Sequence, residues 1–84
     1  MNSIHWTLKA ARQLRKLGRQ QQATIRDGVE TLKAMPACRN VRTLTTHLYG
    51  YRLRVGNYRV MFNWDGAIRI VEIQEVRKRD ERTY

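Results

Sequence analysis

Arg52, Arg54 and Arg59 are the side chains of this sequence best suited to chemistry on a charged ligand. A guanidinium keeps its proton in proteins and presents a planar fork of donors, so it clamps phosphate and stabilises charge developing on it. The three lie in a strictly alternating stretch, Tyr51-Arg52-Leu53-Arg54-Val55-Gly56-Asn57-Tyr58-Arg59-Val60-Met61-Phe62. Gly56-Asn57 is a two-residue hairpin signal, because both residues tolerate the positive φ of tight primed turns. That turn predicts Val55 opposite Tyr58, Arg54 opposite Arg59, Leu53 opposite Val60 and Arg52 opposite Met61. Side chains alternate between the faces of a sheet, so Tyr51, Leu53, Val55, Tyr58, Val60 and Phe62 share an apolar face. The arginines share the other. Like charges paired across a ladder are destabilising. An Arg54–Arg59 pair therefore points to an anionic partner, and phosphate matches the guanidinium fork.

Such a cluster beside an aromatic ring suits a sugar-phosphate backbone with a base stacked on the ring. Phosphoryl transfer at such a site, without metal, requires groups that activate a 2′-hydroxyl, stabilise the phosphoryl oxygens and assist departure of the 5′-oxygen. Arg52, Arg54 and Arg59 cover the charge roles, joined by the basic residues of the tail Arg77-Lys78-Arg79-Asp80-Glu81-Arg82-Thr83-Tyr84. Within that tail, Tyr84 offers a ring for stacking and a hydroxyl for positioning a proton. Residue types and spacing alone support a nucleic-acid binder more strongly than a nuclease.

The whole chain carries the same bias, with 17 lysines and arginines against seven acids and a formal net charge of +10 over 84 residues. That field favours nucleic acid, an anionic membrane or an acidic protein, and exceeds what solubility alone requires. No apolar run approaches the roughly 20 residues needed to span a bilayer. The opening Met1-Asn2-Ser3-Ile4-His5-Trp6 lacks the charged-then-apolar layout of a signal peptide. The lone Cys38 excludes an internal disulfide and a cysteine-cluster metal site, and His5 and His47 lack metal-ligand spacing. The expectation is one cytoplasmic domain spanning residues 1–84, with no metal and no cofactor.

Ile4 and Trp6 alternate with polar neighbours and predict a short opening strand. Thr7 suits the N-cap of a helix from Leu8 to Leu17, with Leu14, Leu17 and Ala10 or Ala11 as its apolar stripe and Gly18 as its stop. A second helix from about Gln20 to Met35 carries Ile25, Val29 and Leu32 at helical spacing, and Pro36 ends it. Residues 36–46 read as a polar loop, followed by strands over 47–55, 58–64 and 67–76. Asp65-Gly66 is the strongest short hairpin signal. It places Arg59 opposite Glu72, Met61 opposite Ile70 and Val60 opposite Val71, which sets the Glu72 carboxylate on the arginine face. The order β-α-α-β-β-β predicts a two-layer α+β domain, with the helical hairpin on one face of an antiparallel-rich sheet and the arginine face open.

The segment Gly50-Tyr51-Arg52-Leu53-Arg54-Val55-Gly56-Asn57-Tyr58-Arg59-Val60 resembles the YRLRxGxYRVxF signature of the RelE/ParE toxin superfamily. The opening Ile4-His5-Trp6-Thr7, with Ala10 and Leu14-Arg15-Lys16-Leu17, is similar to that family's first strand and helix. The tail from Val76 to Tyr84 resembles the basic, tyrosine-ended tail of the RelE branch. The resemblance implies the RelE-like fold and a toxin of a type II toxin–antitoxin pair that cleaves messenger RNA in the ribosomal A site. Its partners would be a cognate antitoxin, the ribosome and messenger RNA. It gives Arg52 and Arg54 activation of the attacking 2′-hydroxyl and stabilisation of the phosphate, and Arg59 phosphate stabilisation. Lys78 or Arg79 would assist the leaving group, and Tyr84 would stack or orient. The best-studied members carry lysines where this chain has Arg52 and Arg54, and arginine does not become a neutral base, so the general base stays unassigned. The alternatives are a ParE-like gyrase poison, which shares the fold without cutting RNA, and a non-catalytic RNA-binding module.

Overall fold

Apolar residues at helical spacing in the first half of the chain and at alternating spacing in the second sort into two layers. In the computed structural model, which describes residues 1–45 and 47–79, β1 (Ser3–Trp6) leads into α1 (Leu8–Arg15) and α2 (Arg19–Glu30). The chain continues from α2 as a 3-10 turn, Thr31–Ala34, and then forms β2 (Val41–Thr43), β3 (Tyr51–Val55), β4 (Tyr58–Asp65) and β5 (Ile70–Lys78). The sheet order is β1-β5-β4-β3-β2, with β1 parallel to β5 and the other pairs antiparallel. This is the predicted two-layer α+β architecture. Ala10 and Leu14 of α1, Ile25 and Val29 of α2, and Leu32 meet Leu53, Val60, Phe62, Val71 and Ile73 of the sheet, each at most 3% exposed. Among the described residues, no helix is long and apolar enough to cross a membrane.

Thr7 caps α1 as its position predicts. Its Oγ1 accepts from Ala10 N at 3.2 Å and donates to Ile73 O at 2.8 Å, so one hydroxyl both starts the helix and ties it to β5. Gly18 does not stop this helix. The helix ends at Arg15, and Gly18 opens α2 with an ordinary φ of −65°, its carbonyl accepting from Gln22 N at 3.0 Å. Gly28 is required where α2 crosses β3, because a Cβ there would lie 2.7 Å from Val55 Cγ2. Alanine in a helix gains about 0.8–1.0 kcal/mol over glycine, yet overpacking costs about 1–3 kcal/mol. Gly28→Ala is therefore expected to lower the melting temperature measured by circular dichroism. An unchanged value would mean that α2 can move off the sheet without loss.

The β3–β4 hairpin has the predicted register throughout, from Val55 opposite Tyr58 to Arg52 opposite Met61. Two other expectations for the sheet are corrected. Part of the supposed polar loop is strand: Val41–Thr43 pairs with β3, with Arg42 opposite Arg52. The β4–β5 register also differs, because the connection is longer than two residues. Asp65 pairs with Ile70, and its Oδ1 accepts from the N–H groups of Ala67 (2.9 Å) and Ile68 (3.3 Å) while Arg69 adopts a φ of 56°. The Asp65 side chain thus organises a four-residue loop, 66–69, in place of a two-residue turn. Arg59 consequently faces Arg77, Val60 faces Val76, Met61 faces Glu75, and Glu72 lies opposite Asn63.

A bulge shapes β5. Phe62 pairs with Ile73 but its neighbour Met61 pairs with Glu75, leaving Gln74 as an extra residue. Val71 and Ile73 enter the core before it, and Val76, 7% exposed, returns to the core after it. Strict alternation would have turned Val76 to the opposite face.

Candidate functional site

The alternation of β3 and β4 places Arg52, Arg54 and Arg59 together on the sheet face turned away from the helices, as predicted. The structure adds Arg42, opposite Arg52, which sequence reasoning missed, and sets Arg77, counted there only among the basic residues of the tail, opposite Arg59. Arg42 lies in a three-residue strand without apolar alternation, which leaves little signal. The place of Arg77 in the strand was hidden by the bulge, whose trace in the sequence is the switch from two-residue to three-residue spacing along Val71, Ile73 and Val76. Arg79 follows Arg77 on the same side, and its N–H donates to Asn57 O at 2.6 Å. Lys78 is not brought to this cluster: it pairs opposite Tyr58 and lines a cleft on the helix side with Gln20, Gln21 and Thr24. Tyr84 lies outside the described residues.

Arg52 is the centre of the cluster. It is half-buried, and its Nε is fully buried without a hydrogen-bond partner among the described residues. Burial first, and then the charges of Arg42, Arg59, Arg54 and Arg79, hold its guanidinium below the usual arginine pKa. Among the described residues, the Nε–H of this charged group has no acceptor, and the charges that shift it are all positive. A phosphate oxygen supplies an acceptor and a counter-charge.

The buried carboxylate of this face is Glu75, not Glu72. Glu75 is 5% exposed and lies 3.0 Å from Lys9 Nζ of α1 and 3.4 Å from Arg77 Nε. Glu72 is exposed and accepts from Gln74 Nε2 at 2.6 Å. Burial pushes the Glu75 carboxyl upward, but Lys9, Arg77 and Tyr49 outweigh it and leave its pKa below the ordinary value, while Lys9 is raised by Glu75.

A carboxylate whose folded pKa is depressed contributes stability that is present above its unfolded value of 4.5 and is lost as pH falls through the folded value. Glu75→Gln removes the counter-charge of Lys9 and Arg77. It is expected to cost about 1–3 kcal/mol and to flatten the acid limb of the melting profile, as measured by thermal denaturation across the acid range. A melting temperature equal to wild type at neutral pH would show that the Glu75 pairs contribute nothing.

Two helices packed on a five-strand mixed sheet match the fold of solved RelE toxin structures. The RelBE2 toxin–antitoxin complex of Mycobacterium tuberculosis matches with a TM-score of 0.79 and 25% identity, covering 93% of this chain and 98% of that chain. The archaeal RelE–RelB complex of Pyrococcus horikoshii OT3 matches with a TM-score of 0.80 and 19% identity, over 95% and 97% of the two chains. The isolated E. coli RelE toxin gives 0.79 and 16%, over 96% and 87%. The family profile described as the ParE toxin of the type II toxin–antitoxin system, parDE, matches residues 4–83. The chain therefore belongs to the RelE/ParE superfamily of type II toxin–antitoxin toxins, as its hairpin signature implies. No curated protein sequence matches it.

Proposed function

We propose that this toxin is a ribosome-dependent endoribonuclease that cuts messenger RNA in the A site. In this reading the 2′-hydroxyl attacks the adjacent phosphorus, the 5′-oxygen departs with a proton, and a cyclic phosphate is left on the upstream fragment. Arg52 and Arg54 bind the scissile phosphate beside the attacking oxygen, and Arg59 stabilises the charge that develops on the phosphoryl oxygens. Arg79 assists the leaving oxygen, with Lys78 on the wrong side of the sheet for that role in the described conformation. Tyr84 orients or stacks. The observation that carries the reading is the buried Nε of Arg52, without a partner among the described residues and set among like charges, which a phosphate would complete.

The partner in the resting state is a cognate antitoxin, as in the M. tuberculosis and P. horikoshii complexes. Its toxin-binding segment is acidic and covers the arginine face, and toxin and ribosome meet in the cytoplasm. Inducing the toxin alone is expected to stop translation and produce cuts inside coding regions, mapped by primer extension. The description of the matching family as ParE favours a second reading, a gyrase poison. Intact messages together with accumulated gyrase–DNA cleavage complexes would replace the first reading by the second.

A further inference from the structure

Two rows of side chains cross the open face of the sheet side by side. Arg54, Arg59 and Arg77 form one row across β3, β4 and β5, and Arg42, Arg52, Met61 and Glu75 form the next across β2 to β5. The rows lie about 7 Å apart along the strands, so Arg77 and Glu75 are neighbours on β5. The buried Oε1 of Glu75 is 3.0 Å from Lys9 Nζ and 3.4 Å from Arg77 Nε. Lys9 reaches it from α1 and already gives the buried carboxylate a counter-charge. The second contact acts on Arg77. That residue stands opposite Arg59, and like charges so paired destabilise the ladder. Glu75 offsets the repulsion and draws the guanidinium back along β5. The contact engages Nε, the nitrogen nearest the stem, while the Arg77 side chain remains 59% exposed. Its terminal nitrogens are a fork of donors of the kind that phosphate accepts from.

We propose that Arg77 binds a phosphate flanking the scissile one, and that Glu75 is the positioning residue that holds Arg77 in place to do so. The proposal rests on the RNA-cleavage reading above. Arg54 and Arg77 are separated by two strand spacings, about 10 Å, so a phosphate held at Arg52 and Arg54 leaves Arg77 for the next one along the strand. Lys9 and burial fix the carboxylate, and the carboxylate fixes the guanidinium before RNA arrives, so less rotamer freedom is lost on binding. This role has a distinctive sign. A carboxylate that merely stood near the site would repel the polyanion, and its removal would tighten RNA binding. A carboxylate that positions Arg77 does the reverse, and its removal weakens binding.

The test is a double-mutant cycle of Glu75→Gln and Arg77→Ala, run beside Arg52→Leu on programmed ribosomes. Binding is read with a 2′-deoxy substitution at the cleavage position of the message, and single-turnover cleavage with the natural message. Arg77→Ala is expected to weaken binding about tenfold or more. Glu75→Gln is expected to weaken it about threefold or more, although the variant is the more positive protein. In the Arg77→Ala background the same Glu75→Gln change is expected to leave binding unchanged or tighter. Wild-type or tighter binding by Glu75→Gln alone, alongside loss of cleavage in Arg52→Leu, would overturn the proposal and leave the nuclease reading standing. Equal weakening by Glu75→Gln in both backgrounds would also overturn it, since damage to the fold through Lys9 predicts that pattern. Wild-type protein that neither binds nor cuts any programmed message would overturn both.

Discussion

Arg52→Leu is expected to abolish cleavage and, at the same time, to raise the melting temperature. The two effects share one cause. Arg52 keeps a buried Nε without a partner among the described residues and sits among Arg42, Arg54, Arg59 and Arg79. An unsatisfied buried donor costs about 1–3 kcal/mol, and like charges across a ladder add to that cost. Leucine removes both penalties and sits opposite Met61 in the ladder. The same substitution removes a preorganised charge from the scissile phosphate, a loss of about a hundred- to thousandfold in rate where single donors have been deleted from comparable sites. Single-turnover cleavage on programmed ribosomes and thermal denaturation of the same preparation measure the two arms. Wild-type cleavage would remove Arg52 from the site, and a lowered melting temperature would mean that the guanidinium stabilises the fold. Arg59→Ala is expected to lose cleavage on the same scale, and Arg59→Lys to be impaired because the planar fork is lost.

Binding is expected to collapse with salt. Arg42, Arg52, Arg54, Arg59, Arg77 and Arg79 share one side of the sheet, and each phosphate they neutralise releases condensed counterions. If about four phosphates are contacted, the slope of log affinity against log salt is about −2.8 for a single strand, so a fourfold rise in salt weakens binding about fiftyfold. Titration of a single-stranded, 2′-deoxy-substituted message segment on programmed ribosomes at two salt concentrations gives the slope. A flat response would rule out a phosphate-dominated interface. Arg42→Ala should reduce the slope by about 0.7 if that residue contacts one phosphate, which separates it from arginines that only repel their neighbours.

The hairpin that carries Arg52, Arg54 and Arg59 was legible to the residue, because Gly56-Asn57 marks a two-residue turn and strict alternation leaves one set of faces. The helices were legible from Thr7 and from Ile25, Val29 and Leu32, whose spacing admits one buried stripe. The β4–β5 pairing was not. Asp65-Gly66 has the residue types of a two-residue turn, yet the aspartate spends its carboxylate on Ala67 and Ile68, and Arg69 takes up a left-handed conformation that its residue type does not announce. The turn error carried through the strand, exchanging Glu75 for Glu72 and concealing that Arg77 faces Arg59.

Gln74 sets which side of the sheet the end of the chain addresses. One residue fewer between Ile73 and Arg77 would exchange the two sides downstream, sending Arg77 and Arg79 toward the helices and bringing Lys78 to the arginines. The same deletion would pull Val76 out of the core, where it is 7% exposed. Arg77 and Arg79 are thus held in phase by a valine that never meets a ligand. Any drift in length that misdirected the basic residues would first be felt as a hole in the hydrophobic interior, so selection for folding also preserves the reading frame of the functional surface.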